Sequence, residues 1–545
     1  MKKLWFLLLI PIYALIWYFT SAPLNLFLDE GAWFVIFLVI TFLILLFILR
    51  HGNPVYIDYS NRQGNLRLGA KKKTFLTYVA LAVALPVLLV LIDIFTSPLF
   101  ASGAYKNQIG SIEERKFETD IQPIDVSQLP IVDKALAIKL ADKKLGEKPS
   151  LGSMATIGDP VIQRVNGNLV WVLPLQHTGF FKWLANMGGT PGYIVVSATN
   201  QNDIKYVENY KIKIQPAAFF NDNLERHTRF SAAIFTGITD YTFEIDETGH
   251  PFWVVTTYKN TLGLNLPEAT GVILVDAVTG STQKYSMSNI PDWVDRVQPE
   301  SFVVNQVNNN GQYIHGVFNF SNKDKYQTSE GNIIVYYNNK CYLLTGLTSV
   351  GSDESATGFI LVDMVTKKPI LYRLSGSTEY AAQQSAEGKV QHLNYTASFP
   401  IIINVNNIPT YFMTLKDKEG LIKQFSLVSV KDYNTVGIGE TISNALKNYE
   451  YLLSNSNSGD VLQNPTTRIT LEGTVDRIAS ELNGQYTVYK LILKENPDKI
   501  FTINSDVSDE LALTIAGDKV SITYLDTTAK TISVTSFDNL AYTQK

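Results

Sequence analysis

One short string occurs twice in this chain and limits the folds that the chain can adopt. Residues 269–280 read ATGVILVDAVTG and residues 356–367 read ATGFILVDMVTK, so nine of twelve positions are identical at a spacing of 87 residues. Each copy is an apolar run of strand length that follows a Gly and ends in an Asp-containing turn. The pattern predicts a repeat protein in which each duplicated unit contains a buried strand.

The carboxylates of Asp276 and Asp363, which end the two copies, are candidate catalytic groups because both copies carry one. An Asp at the end of a strand also accepts hydrogen bonds from the backbone of the turn that follows. We favour this turn role and predict no catalysis by either carboxylate.

Three N-terminal segments, residues 4–20, 32–49 and 74–96, have the apolar character and the ~20-residue length of transmembrane helices. The 50–73 connection carries six Lys or Arg, whereas the 21–31 connection carries none and contains Asp29 and Glu30. The positive-inside rule therefore predicts a cytoplasmic (plasma) membrane protein with its N-terminus inside and residues from about 98 onward outside. A cleaved signal peptide is the alternative for the first segment, and it leaves the rest of the chain in the same place.

The length of 545 residues exceeds what one hydrophobic core serves, so several domains are expected. Four units each show a helix, a hairpin and an apolar third strand, and the helix of the third unit is expected at 291–307. An amphipathic helix at 440–453 closes the series. The predicted fold class is α+β with antiparallel sheets. The predicted parts are an anchor of three transmembrane helices at 1–100, α-β-β-β repeats at 101–212, 213–290, 291–376 and 377–453, a linker at 454–467 and a small all-β barrel at 468–545.

Tandem α-β-β-β units with a D-x-x-T-G turn resemble the PepSY family of small envelope domains. The resemblance covers about residues 130–450 and is carried by the helix at 135–145 with Gly146, the turns at 166–167 and 246–249, and the strand end at 276–280. It implies a domain outside the cytoplasmic membrane that is not itself an enzyme and that binds or restrains partners, peptidases among them.

The five short strands from residue 468 onward are similar to an OB-fold barrel, whose best-known use is oligonucleotide binding. Eight Lys or Arg against eleven Asp or Glu in this segment argue against that use. The first 97 residues carry a net charge of +4, from eight Lys or Arg and four Asp or Glu, so with −4 for the whole chain the remainder carries −8. We therefore predict no nucleic-acid partner.

The familiar catalytic motifs are missing from the sequence: it contains no H-E-x-x-H, C-x-x-C, G-x-S-x-G or phosphate-binding G-x-x-x-x-G-K-[ST]. One S-x-x-K, at 281–284, falls in the expected turn after the repeated strand and lacks its companion motifs, so we interpret it as a coincidence. The six His residues are scattered, and we interpret His250 as a neighbour of the 246–249 turn. The single Cys341 lies in an apolar run and is expected to be a buried structural thiol. We predict no catalytic residue, no cofactor and no metal site.

One segment, residues 177–191, is rich in aromatic residues and glycines and has two interpretations. Its apolar side chains form either an exposed surface for a partner or a membrane, or a filling for the core between two units; core filling is favoured. The candidate partner-binding residues are Phe180, Phe181, Trp183, Leu184 and Met187.

These features together predict a membrane-anchored extracytoplasmic binding or scaffold protein of a cell-envelope assembly, with the membrane and other envelope proteins as partners. The alternatives are an envelope hydrolase with an unrecognised active site and a regulator or inhibitor of an envelope peptidase. A virus- or plasmid-encoded membrane protein fits the same features.

Overall fold

A computed structural model describes residues 5–51, 55–58, 65–68, 72–122, 128–351, 355–455, 468–483, 486–505, 507–525 and 530–542 of the chain. Its class is the predicted α+β class, with apolar helices at the N-terminus followed by several antiparallel sheets. Residues 456–467 of the predicted linker lie outside the described residues.

The N-terminal region contains the helices α1 (Trp5–Thr20), α2 (Asp29–His51) and α3 (Lys72–Thr96). Two of them hold stretches long and apolar enough to cross a membrane by length and composition, Asp29–Arg50 and Thr74–Thr96. In α1 the corresponding stretch, Ile10–Thr20, is shorter, so the first of the three predicted spans, residues 4–20, stays a prediction. Two short strands, β1 (Val55–Asp58) and β2 (Asn65–Leu68), pair antiparallel between α2 and α3.

A connecting segment with α4 (Pro98–Asn107), β3 (Glu113–Arg115) and α5 (Phe117–Asp120) leads to the first sheet. The helix α6 begins after Asp133, whose side chain caps it by accepting from the Leu136 N–H at 3.0 Å. Asn166 and Gly167 both have positive φ, as expected for the predicted two-residue hairpin turn. Sheet 1 and its helices comprise α6 (Lys134–Gly146), α7 (Pro149–Gly152), β4 (Ala155–Ile157), β5 (Val161–Val165), β6 (Asn168–His177), α8 (Phe180–Ala185), β7 (Thr190–Ser197) and β8 (Ile204–Ile212).

Sheets 2 and 3 contain the two copies of the repeated string as central strands. Sheet 2 has the order β12-β11-β10-β9, and β3 extends sheet 3 by pairing parallel to β17. The elements of sheet 2 are α9 (Leu224–Ala232), β9 (Gly237–Ile245), β10 (Pro251–Leu262), β11 (Asn265–Asp276) and β12 (Thr282–Ser286). Those of sheet 3 are α10 (Glu300–Gln312), β13 (Tyr326–Thr328), β14 (Ile333–Tyr337), β15 (Lys340–Ser349), β16 (Ser355–Asp363) and β17 (Pro369–Ser377).

Sheet 4 and a closed barrel complete the described chain. Sheet 4 consists of α11 (Glu379–Lys389), β18 (Thr396–Ala397), β19 (Ile401–Val405), β20 (Ile408–Lys416), β21 (Ile422–Ser429), β22 (Val436–Gly439) and the closing helix α12 (Ile442–Asn455). The barrel strands, in the closed order β23-β24-β25-β27-β26, are β23 (Arg468–Asn483), β24 (Tyr486–Leu493), β25 (Asn496–Asn504), β26 (Lys519–Leu525) and β27 (Thr531–Asn539).

A recurring backbone contact relates the four sheets. The residue after the third strand of each sheet accepts hydrogen bonds from the segment that enters the unit, and the accepting carbonyls are Ala198, Ala277, Met364 and Val430. In sheets 1, 2 and 3 two consecutive N–H groups donate, at 2.8 to 3.0 Å, and in sheet 4 the donor is Ser377 at 2.8 Å. Trp171 and Trp253 extend the equivalence, because each indole donates at 2.7 Å to a carbonyl 39 residues earlier.

Three details of the predicted units are wrong. Each sheet has a strand after the apolar third strand, namely β8, β12, β17 and β22, so the α-β-β-β description is one strand short. In the 281–284 segment, expected as a turn, residues 282–284 belong to β12, a largely exposed polar edge strand without an apolar pattern. The helix expected at 291–307 begins only at Glu300, because Val294 and Val297 before it are buried against sheet 2.

The third strands are continuously apolar because each sheet is covered on both faces. In β11, Ile273 and Val275 belong to a core shared with sheet 1, whereas Val272 and Leu274 pack in a second core with Val297. Strands buried on both faces have continuous apolar runs rather than alternation.

The series of sheets closes on itself. Sheet 1 shares one core with sheet 2, sheet 2 is bonded to sheet 3 through the 297–298 segment, and sheets 3 and 4 share another core. Sheet 4 then returns to sheet 1: Phe412 lies in the same core as Leu173, while its neighbour Tyr411 lies in the core with Leu361 of sheet 3. Because the sheets share their cores, the predicted domain limits stay a prediction.

Candidate functional site

The aromatic segment at 177–191 forms the short helix α8 and divides its side chains between the core and the surface. Trp183 is buried, with 4% of its surface exposed, whereas Phe180, Phe181, Leu184 and Met187 are exposed. The favoured core-filling interpretation is therefore correct for Trp183 and wrong for the other four. Their partner-binding role stays a prediction.

Two glycines and a second aromatic segment fix the position of α8. Gly179 and Gly189, on either side of it, have φ values of 119° and 105°, and a Cβ on Gly189 would lie 2.7 Å from the Ile212 backbone. The Trp183 ring lies 5.7 Å from the Phe219 ring and also 5.7 Å from the Phe220 ring. We call the exposed side chains around this contact the α8 patch, which comprises Phe180, Phe181, Leu184, Met187 and Phe220.

The α8 patch is connected to the end of α1. The Tyr18 hydroxyl donates to Asn221 Oδ1 at 2.7 Å, one residue from Phe220. Arg226 donates from Nε to the Tyr18 carbonyl at 2.9 Å and from Nη1 to the Phe220 carbonyl at 3.0 Å, and its guanidinium lies 4.9 Å from the Tyr18 ring centroid. A buried guanidinium, that of Arg229, donates to the Ser21 carbonyl at 2.8 Å. The helix α9 and the preceding turn are thus fixed to the last turn of α1.

A second contact joins sheet 2 to α2 and α3 through the tip of the β10–β11 hairpin. Leu264 at the tip packs on a small core formed by Ala32, Ile36 and Leu89. Asn265 Nδ2 donates to Asp93 Oδ1 at 2.9 Å. The tip therefore lies between the ends of α2 and α3.

A third contact involves α4, which follows α3, and the loop after α10. Lys106 Nζ donates to the Ile314 carbonyl at 2.9 Å, and the Tyr105 and Tyr313 rings lie 5.8 Å apart. The same loop carries Phe318 and Phe320, which are strongly exposed. The three contacts thus involve the C-terminal end of α1, the N-terminal end of α2 with the C-terminal end of α3, and the helix α4 that follows α3.

Buried ionisable side chains meet where sheets 1, 2 and 3 come together. Glu244 in β9 is fully buried and accepts from the Thr242 hydroxyl at 3.0 Å and from the Asp295 N–H at 3.3 Å. Burial, with the charge of Asp295 nearby, raises the pKa of Glu244 to about 8. Burial also raises the pKa of Asp295 to about 6, although the Arg164 N–H and the Tyr336 hydroxyl donate to it at 2.8 and 3.0 Å.

Cys341 lies beside this carboxylate pair and is buried, as predicted. Burial raises the pKa of its thiol far above the usual range. A protonated buried thiol is a poor nucleophile, so the residue is suited to a structural role.

The repeated carboxylates have the turn role that was predicted. Asp276 Oδ1 accepts from the N–H groups of Val278 and Thr279 at 2.8 and 3.0 Å, and Asp363 Oδ1 accepts from Val365 and Thr366 at 2.9 and 2.7 Å. Burial opposes ionisation of Asp276, but these hydrogen bonds outweigh it and lower its pKa.

His250 has a second contact that the sequence did not indicate. Its N–H donates to Asp246 Oδ1 at 2.9 Å, as expected of a turn neighbour, and its ring Nε2 also lies 3.1 Å from Asp276 Oδ2. In sheet 3 the matching partner of Asp363 is Lys340, at 3.9 Å.

Within the described ranges, no group of three or more His, Cys, Asp or Glu side chains is arranged to hold a metal ion. A cavity of about 450 Å³ lies between the α1–α2 connection and sheet 2, and its lining includes Asn25, Phe235, Lys259 and Lys284. A smaller one of about 180 Å³ lies between α2 and α3 and is apolar. Neither cavity contains the Glu244–Asp295 pair.

The chain matches no protein-family model and is not similar in sequence to any curated protein.

Proposed function

We propose that this chain is a membrane-anchored extracytoplasmic binding or scaffold protein of a cell-envelope assembly, and that it acts without catalysis. The observation that carries the proposal is the triple contact between the sheets and the ends of the N-terminal helices. It supports a platform held at a fixed height and orientation above the bilayer, since α1, α2 or α3, and α4 each have a separate contact.

The same contacts favour three spans with the N-terminus on the side of the membrane opposite the sheets, and the Lys and Arg residues of the 50–73 connection favour the cytoplasm as that side. The C-terminal ends of α1 and α3 and the N-terminal end of α2 all meet the sheets, which is the alternation that three successive crossings require. The 16 residues of α1 rise ~24 Å, short of the ~30 Å hydrocarbon thickness.

The architecture also supports the tandem PepSY-like interpretation and the OB-fold-like interpretation of the barrel. The recurring carbonyl contact at Ala198, Ala277, Met364 and Val430 favours four related units, and the five-stranded closed order favours a small barrel. Asn504 of the barrel reaches Ser443 of α12 at 3.4 Å, which places the barrel next to sheet 4. Sheet 4 and the barrel expose the large apolar side chains of Tyr380 and Leu513, so they are our candidates for the partner-binding surface.

Site-specific photo-crosslinking in the native membrane tests this proposal. A photoreactive residue would replace exposed Tyr380 on α11, exposed Leu513 in the barrel, or exposed Ile138 on α6 as the matched control. The scaffold proposal expects one envelope protein to be captured from position 380 or 513. A photoreactive residue placed in that captured protein should in turn crosslink to this chain. If positions 380 and 513 yield only uncrosslinked chain although the photoreactive variants are intact and abundant in the membrane, the scaffold proposal is wrong.

One observation favours the hydrolase alternative. Neighbouring carboxyl groups with raised and different pKa values, about 8 for Glu244 and about 6 for Asp295, are the kind of pair that enzymes use as acid and base. Glu244 is fully buried, so catalysis would require sheets 1, 2 and 3 to separate. Labelling of Cys341, buried in the same place, under native conditions would report such opening and would favour the alternative.

A further inference from the structure

Exposed phenylalanines occur at particular places in this molecule. Beyond residue 100, within the part of the chain that the structure describes, the six exposed phenylalanines are Phe180, Phe181, Phe220, Phe235, Phe318 and Phe320. Exposed apolar residues scattered singly are normal on soluble surfaces, whereas grouped ones mark an interface. We call these six residues the phenylalanine collar.

Every member of the collar lies in a segment that contacts the ends of the N-terminal helices or packs on such a segment. Phe220 is next to Asn221, which binds Tyr18, and the Phe180 ring lies 6.5 Å from the Phe220 ring. The Phe235 carbonyl accepts from Asn25 Nδ2, between α1 and α2, at 3.0 Å.

The remaining two members lie beside α4. Phe318 and Phe320 follow Ile314, whose carbonyl accepts from Lys106, and Tyr105 of the same helix donates to the Thr96 carbonyl at the end of α3 at 3.1 Å. Three independent loops, from sheets 1, 2 and 3, thus carry exposed aromatic rings in segments next to the ends of the N-terminal helices.

These helix ends lie at the outer boundary of the bilayer if α2 and α3 cross it. Side chains of a helix tilt toward its N-terminus, so the Tyr18 hydroxyl that binds Asn221 lies no farther out than the last turn of α1. Aromatic residues with flanking Lys are typical of the membrane interface. Between residues 178 and 202 the only charged residue is Lys182.

We propose that the phenylalanine collar inserts into the outer leaflet, at the boundary between lipid headgroups and acyl chains. The proposal rests on the membrane anchor of the proposed function and commits to lipid, rather than a protein partner, as the occupant of the α8 patch. The collar supports the sheets against the bilayer at three points around the helices, so the platform resists tilting.

Spin labels on the full chain in phospholipid nanodiscs test the proposal. Cys341 is buried and its thiol poorly reactive, so cysteines introduced as F181C, F320C, V83C and L513C can each be labelled separately. The readout is the ratio of collision rates with oxygen, which enters lipid, and with a water-soluble nickel chelate. Val83, in the middle of α3, is the lipid reference, and Leu513, exposed in the barrel, is the water reference.

The expected result is a ratio at positions 181 and 320 severalfold above that at 513 and below that at 83. Water-like ratios at both 181 and 320, with a lipid-like ratio at 83, would overturn the collar while leaving the anchor intact. A water-like ratio at position 83 would contradict the membrane anchor and therefore also the insertion of the collar. Native fluorescence of each labelled variant verifies that it is folded.

Discussion

Replacing Glu244 by Gln should change how the stability of this protein depends on pH. The carboxyl group is fully buried, and its pKa in the folded chain is about 8, compared with an ordinary value of 4.5. Since the folded-state pKa is the higher one, the neutral carboxyl stabilises the fold fully below pH 4.5. That stabilisation is lost progressively as the pH rises to about 8. Gln is neutral at every pH and keeps one oxygen, which can accept from the Thr242 hydroxyl or from the Asp295 N–H but not from both. The lost hydrogen bond lowers the stability of E244Q by a similar amount at every pH, so it does not produce the pH dependence.

The magnitude follows from proton linkage. A complete pKa difference of this size corresponds to roughly 5 kcal/mol, of which about 2.5 kcal/mol falls between pH 5 and pH 7. The parent chain should therefore lose about 2.5 kcal/mol of unfolding free energy from Glu244 over this interval, and E244Q should not. Other groups titrate in both proteins, so the difference between the two curves reports Glu244 together with its coupling to Asp295.

The assay is denaturant unfolding in detergent at pH 5, 6, 7 and 8, followed by tryptophan fluorescence. Trp253 and Trp293 are suitable reporters because Trp253 is buried in the adjacent strand and Trp293 packs on Phe252, the register partner of Glu244. D142N, at an exposed carboxyl on α6, is the matched control. Its plot of unfolding free energy against pH should run parallel to that of the parent. Parallel curves for E244Q and the parent from pH 5 to 8 would refute the buried-proton argument.

Four further outcomes are expected. Trp183→Ala should lower the unfolding free energy by about 3 to 5 kcal/mol, whereas Phe181→Ala should change it by less than about 0.5 kcal/mol, measured by denaturant unfolding; equal effects would contradict the burial difference. Asp363→Ala should cost about 1 to 2 kcal/mol because it leaves two turn N–H groups unpaired, and an unchanged transition midpoint would rule out the turn role. Gly263→Ala should weaken the contact with α3, because the position has φ of +60° and the new Cβ would meet Ile92 at 2.9 Å; proteolysis near the hairpin should become faster than in the parent. Cys341 should react with maleimide only across the unfolding transition, and reaction with the native protein at neutral pH would contradict its burial.

Local rules predicted those features that depend on neighbouring residues. The turn role of Asp276 and Asp363 follows from an Asp at a strand end, and the Asn166-Gly167 hairpin from the positive φ that both residues tolerate. The burial of Cys341 follows from its apolar surroundings in the chain. These outcomes required no knowledge of what each strand packs against.

Features set by distant contacts were missed. The edge strand β12 has exposed polar residues and is held by its pairing with β11, so the sequence contains no apolar pattern that predicts it. The segment before α10 is not helical, because Val294 and Val297 are buried on sheet 2. The exposure of four side chains near Trp183 depends on the position of Phe219 and Phe220, some forty residues later in the chain.

The closure of the sheet series has a consequence for biosynthesis. The face of sheet 1 that carries Leu173 is covered by Phe412 and Tyr449, more than two hundred residues downstream, and Lys416 forms an ion pair with Asp133 at the start of α6. During synthesis, the first unit emerges long before the part of the chain that covers it. Its apolar face stays exposed to solvent until the fourth unit has been synthesised and packs on it. A chain truncated before that point should therefore depend on chaperones and be a target for quality-control proteases, although its first three units are complete in sequence.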